Sequence, residues 1–117
     1  MRDDRARLLD IIEAATRIEK YTVFGRDRFD VDELVQNWIV HHLQIVGEAC
    51  SQLSAELRDQ HAEIPWRGFV GMRNILVHQY FGIDLEPVWL AATSELEVLS
   101  SVVHEMLVEL DNRDGRT

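Results

Sequence analysis

The stretch DVDELVQNWIVHHLQIVGEACSQL, residues 30–53, decides the fold class. Val35, Ile39, Leu43, Val46, Cys50 and Leu53 recur three or four residues apart, the spacing of one face of an α-helix. Leu34, Trp38, Ile45 and Ala49 form a second apolar stripe beside it. Two stripes on one helix require burial on more than one side. Either this is the central helix of a bundle, or it also faces a second subunit. Asp30 with Glu33 gives it a capping-box-like start.

The same period extends outward in both directions. Leu8, Ile11, Ile12, Ala15 and Ile18 predict a first helix from about Asp3 to Tyr21, with Arg5, Asp10, Glu13 and Arg17 facing away and Asp3 or Asp4 as its cap. Thr22 to Phe29 contains Gly25 and reads as a loop. Ser54 followed by Glu56-Leu57 predicts a short extra turn before His61. Pro65 suits the first turn of a third helix, from about Trp66 to His78, which Tyr80-Phe81-Gly82 breaks. Asp84 caps a fourth helix in which Pro87 is tolerated in the first turn. Val88, Ala91, Ala92, Leu96, Leu99, Val103, Leu107 and Leu110 carry its apolar side. Asn112 to Thr117 is polar and reads as frayed. No alternating strand pattern competes. The expected fold is all-α: an antiparallel, up-and-down four-helix bundle with a short extra helical turn. It forms one domain over residues 1–112, with 113–117 as a tail.

Composition narrows the function classes. The chain has 117 residues, 21 Asp+Glu against 12 Lys+Arg, and a net charge of −9. Taken whole, that balance argues against broad, nonspecific binding of nucleic acid. The acid is unevenly placed, however. Residues 64–83 hold Arg67, Arg73 and His78 and no Asp or Glu. Cys50, the only cysteine, has no internal disulfide partner, fits a reducing compartment, and is expected to be inert on its apolar stripe. Met1-Arg2-Asp3-Asp4-Arg5 runs straight into an amphipathic pattern, so no signal peptide, no membrane span and a cytoplasmic location are expected. His41, His42, His61, His78 and His104 show no metal-ligand spacing with carboxylates, and neither a metal nor a cofactor is expected.

Chemistry concentrates in Gly71-Met72-Arg73-Asn74-Ile75-Leu76-Val77-His78-Gln79-Tyr80. Arg offers a permanent forked cation for a phosphate, and His a proton donor or acceptor near neutral pH. Together they suit metal-free phosphodiester cleavage. On a helix Asn74 and His78 share a face, whereas Arg73 stands about 140° from His78. A second copy of the helix across a two-fold axis would bring both into one cleft. The spacing equally fits a plain role, with Arg73 in a surface ion pair and His78 at a helix C-terminus.

Around that segment the sequence resembles the HepT-like ribonuclease family of the HEPN superfamily. The likeness rests on Ile64-Pro65-Trp66-Arg67, on Gly71 to Val77 with His78, Tyr80, Phe81 and Gly82, and on Asp84-Leu85 with Val88-Trp89. Leu43, Ile45-Val46-Gly47-Glu48-Ala49, Leu53-Ser54 and Glu56-Leu57 match its second-helix region, and Ile11 to Ala14 with Ile18 to Tyr21 its first. The resemblance implies a toxin that forms a homodimer, with Arg73 and His78 of both subunits lining one RNA-cleaving cleft. Asn74 matches the polar residue after the arginine. Tyr80 matches the tyrosine to which an MntA-like nucleotidyltransferase antitoxin attaches AMP. Such an adduct beside His78 would add charge and bulk where RNA must bind. One departure is His41-His42, where many members carry an Arg-Asn pair.

The reading that follows is a metal-independent endoribonuclease toxin. His78 is its general acid or base, Arg73 its phosphate cation, and Asn74 orients His78 or the phosphate. The alternative is a non-catalytic helical module that binds a nucleotidyltransferase or a nucleotide. Glu48 is expected to pair with an arginine of the third helix. His41-His42 either contribute a pH-dependent contact or are solvated or interface residues. Trp38, Trp66 and Trp89 are expected in packing rather than base stacking, and His61 and His104 at the surface. Gly47 and Gly71 are expected where helices approach closely.

Overall fold

The computed structural model describes residues 2–78 and 84–113. Seven α-helices and one π-helical segment cover them: α1 (Arg2–Thr22), α2 (Arg26–Val31), α3 (Glu33–Gln52), α4 (Ala55–Gln60), α5 (Trp66–His78), α6 (Leu85–Leu90), the π segment (Ala91–Glu95) and α7 (Leu96–Arg113). The fold is an all-α, HEPN-like helical bundle with no strand among the described residues. α3 lies between α1 and α5, and α1 also packs on α7 and the π segment. The two stripes of α3 therefore serve two neighbours within the chain. Val35, Ile39, Leu43, Val46, Ala49 and Cys50 are buried. Leu34 departs from that expectation. It sits in the first turn of α3, 81% exposed, beside the equally exposed Val31.

The segment read as a loop after α1 contains a helix. Gly25 adopts φ 93°, a left-handed conformation that glycine reaches without a Cβ penalty, and α2 follows at once. Six residues are too few to show a hydrophobic period. Fully buried Phe29, 5.1 Å from the Trp89 ring, pins α2 to the core. Asp30 belongs to α2, where it pairs with Arg26 at 2.7 Å, so the expected Asp30 cap is replaced by Asp32. The Asp32 carboxylate accepts from the amides of Leu34 (3.0 Å) and Val35 (3.3 Å). A hydrogen bond from Arg28, together with these amides, holds it below the usual carboxylate range.

Asp4 does not cap α1 either. It is 4% exposed, and its carboxylate accepts from the Ser54 amide (2.8 Å) and hydroxyl (2.7 Å). Ser54 Oγ in turn accepts from the Leu57 amide at 3.2 Å, which starts α4. A buried carboxylate on α1 thus fixes the turn 50 residues later. His61, expected at the surface, is buried at the end of α4, where its Nε2 donates to Glu109 of α7 at 2.9 Å. His104 is exposed. The fourth helix follows its expected course from the Asp84 cap, which accepts from the Glu86 amide at 3.0 Å. It passes through the π segment, where the Thr93 hydroxyl donates to the Trp89 carbonyl at 2.7 Å. α7 stays helical through Asn112 and Arg113, and residues 114–117 lie outside the described residues.

The three tryptophans are packing groups. Trp66 donates to the His61 carbonyl at 3.0 Å, Trp38 to the Arg17 carbonyl at 2.7 Å, and Trp89 lies on Phe29.

Gly47 sets the α3–α5 separation. A Cβ there would overlap Arg73 Cβ and stand 2.8 Å from the Phe69 carbonyl oxygen. Gly71 does not share this role, because a Cβ on it meets nothing within 4 Å. Gly47→Ala is expected to destabilise by about 1–3 kcal/mol through overpacking. Gly71→Ala is expected to stabilise by up to about 1 kcal/mol through helix propensity. Urea unfolding of the two variants checks the contrast.

Candidate functional site

The close approach at Gly47 places Arg73 against the last turns of α3. Arg73 Nε meets Glu48 Oε2 at 2.8 Å. Its neighbouring NH1 donates to Asn74 Oδ1, also at 2.8 Å. Glu48 Oε1 accepts from Gln52 Nε2 at 2.8 Å, so the carboxylate is itself held from along its own helix. The expected pairing of Glu48 with an arginine of the third helix is thus present. A guanidinium carries five N–H donors. Two are used here, and Arg73 is one-third exposed, so donors remain for an incoming anion. Fixing two edges of the fork presents the rest in one orientation.

Asn74 is exposed, and its carbonyl oxygen serves Arg73. His78 is the last residue of α5, and its side chain lies outside what is described. Tyr80 also lies outside the described residues. Four residues separate Asn74 from His78, one helical turn of about 6 Å along the axis.

His41 and His42 separate in character. His41 is exposed, while His42 is buried and donates Nδ1–H to the Trp38 carbonyl at 2.8 Å. The two rings stand 4.9 Å apart. With Asp10, Glu13 and Arg17 they line a groove of about 390 Å³ between α1 and α3. Burial lowers the His42 pKa by more than its backbone hydrogen bond restores. Burial also pushes the Cys50 thiol up to about 12, so it stays protonated and inert as expected. Among the described residues no group of three His, Cys, Asp or Glu side chains converges as a metal site. No described helix is long and apolar enough to cross a membrane.

The family described as "Ribonuclease HepT-like" matches residues 11–106, a span that takes in the α3–α5 seam and the whole of α5. The chain belongs to the HepT-like ribonuclease family. It is 35% identical over 89 residues to "Putative RNase MJ1380" of Methanocaldococcus jannaschii, covering 75% of this chain and 82% of that one. It is 33% identical over 99 residues to "Probable ribonuclease HepT" of Thermococcus cleftensis, covering 84% and 90%. A third relative, "Gamma-glutamylcyclotransferase and putative RNase MJ0434" of M. jannaschii, is 32% identical over 111 residues. There the alignment covers 94% of this chain and about half of the relative, 50%. No solved structure matches.

The sequence singled out Arg73, Asn74 and Glu48, but only the fold shows them bonded to one another. Arg58 was passed over. No motif marks it, and its placement depends on the joint between α4 and α5.

The His42 environment generates a pH prediction. In the unfolded chain this imidazole titrates near its ordinary 6.5, and in the folded chain only at lower pH. Below 6.5 the unfolded state therefore binds more protons, and stability falls as pH drops through that window. Urea unfolding at a series of pH values is expected to show this slope, and His42→Gln is expected to flatten it.

Proposed function

We propose that the chain is an endoribonuclease toxin that cleaves RNA without a metal ion. The observation that carries this reading is the Arg73 guanidinium, held at two edges by Glu48 and Asn74 within the segment that the HepT-like family covers. In the proposed reaction His78 takes the proton of an RNA 2′-hydroxyl, which attacks the adjacent phosphodiester. Arg73 neutralises the charge that builds on the phosphate oxygens. The 5′-oxygen leaves with a proton returned by a histidine, and the product is a 2′,3′-cyclic phosphate. The homologous ribonuclease names support an RNA substrate.

The cleft is proposed to be composite, with α5 of two copies facing across a two-fold axis and each contributing Arg73 and His78. A homodimer is its requirement. Neutralisation is proposed to come from an MntA-like nucleotidyltransferase partner that attaches AMP to Tyr80. The adduct would bring a phosphodiester charge and an adenosine next to His78, repelling and blocking RNA. The Glu48–Arg73 ion pair also fits a second reading, in which Arg73 only braces the α3–α5 seam of a non-catalytic module.

Purified protein is expected to cleave RNA in EDTA. His78→Ala is expected to lower the rate by about 10²–10⁴, and Arg73→Ala by about 10²–10³. Unchanged cleavage by His78→Ala, or a strict metal requirement, sinks the assignment. Loss of stability in Arg73→Ala with no RNA phenotype supports the bracing role instead. Light scattering is expected to give a dimer. Mass spectrometry after co-expression with a nucleotidyltransferase partner is expected to find AMP on Tyr80.

A further inference from the structure

Arg58 and Arg67 line one hollow of about 420 Å³ at the joint between α4 and α5. In so acidic a chain, arginines usually find carboxylates. Arg5, Arg7, Arg17, Arg26, Arg28 and Arg73 each do so. Neither Arg58 nor Arg67 is in an ion pair among the described residues, although Asp59 lies on the same rim. Arg58 Nε is buried and has no hydrogen-bond partner among the described residues. Two guanidiniums against one carboxylate leave the hollow positive, while the chain as a whole is −9. Pro65 lines the same hollow and offers an apolar seat for a sugar or base.

The position of the hollow connects it to Arg73. Arg67 and Asn74 are seven residues apart on α5, two turns, so they share a face. Their separation along the axis is about 10 Å. Asn74 holds Arg73. We propose that the α4–α5 hollow is a phosphate subsite for single-stranded RNA, in which Arg58 and Arg67 grip the backbone flanking the bond at Arg73. The subsite rests on the ribonuclease reading. It accounts for how an acidic protein holds a substrate at one narrow strip of surface.

The test titrates a fluorescent single-stranded RNA into full-length His78→Ala protein at several salt concentrations. Arg58→Gln and Arg67→Gln are each expected to weaken binding and to reduce the slope of log affinity against log salt by about 0.7, one phosphate contact on a single strand. Lys20→Gln, the same charge change on α1, is expected to leave that slope alone. An unchanged slope in Arg67→Gln overturns the subsite, and so does an equal loss in Lys20→Gln. If Arg58→Gln fails to fold, Arg67→Gln, on the exposed rim, carries the test by itself. Absence of all cleavage by the wild-type chain defeats the ribonuclease reading alone, because the binding slopes are still measured. A hollow that serves a protein carboxylate instead leaves the RNA slope unmoved and counts against the proposal.

Discussion

The closeness of α3 and α5 is the constraint on which the rest of the site depends. It exists because residue 47 has no side chain. With a Cβ there, Arg73 and the Phe69 carbonyl would have to move away. Because they do not, the Arg73 side chain leaves α5 directly beside Glu48, one residue further along α3. A glycine inside a helix costs about 1 kcal/mol against alanine. In return the two helices place a cation and its carboxylate partner at 2.8 Å, with Asn74 bracing the other edge of the fork. Packing and site geometry are the same feature seen from two sides.

Charge is handled in the same local way. Ion pairs within a turn or between neighbouring helices occupy Arg7 and Arg17 of α1 and Arg26 and Arg28 of α2, and Arg5 bonds Asp111 of α7 at 2.9 Å. Exposed pairs of this kind add little stability. Their effect on function is to withdraw positive charge from most of the surface. Along α4 and α5 the free edge of Arg73, then Arg58 and Arg67, stay available to an anion. The net −9 therefore describes the exterior and not this strip.

Much of the bundle was legible in the sequence because long amphipathic helices announce themselves by period. α5 spans the expected Trp66–His78, α4 follows the expected Ser54, and the Asp84 cap holds. The misreadings have a common cause. α2 is shorter than two turns and has no period to detect. Asp4, His61 and Leu34 were assigned from their own neighbours in sequence. The burial of Asp4 and His61 depends on Ser54 and Glu109, which are distant in sequence, and the exposure of Leu34 on where the bundle ends. Gly71 was grouped with Gly47 by residue type, yet the two face different surroundings.

The sequence by itself determined the helical class, the central place of the 30–53 stretch, the family, and the identity of the polar residues on α5. Each of these is encoded in spacing or in a contiguous string. Only the tertiary structure decided which of those residues touch. Arg73 shares its hydrogen bonds with Glu48 and Asn74, His42 is buried while His41 is not, and Arg58 stands beside Arg67 without a carboxylate partner among the described residues. Periodicity reports which face of a helix turns inward. The distance between two side chains on different helices is set by what lies between them, and here that is the missing Cβ of Gly47.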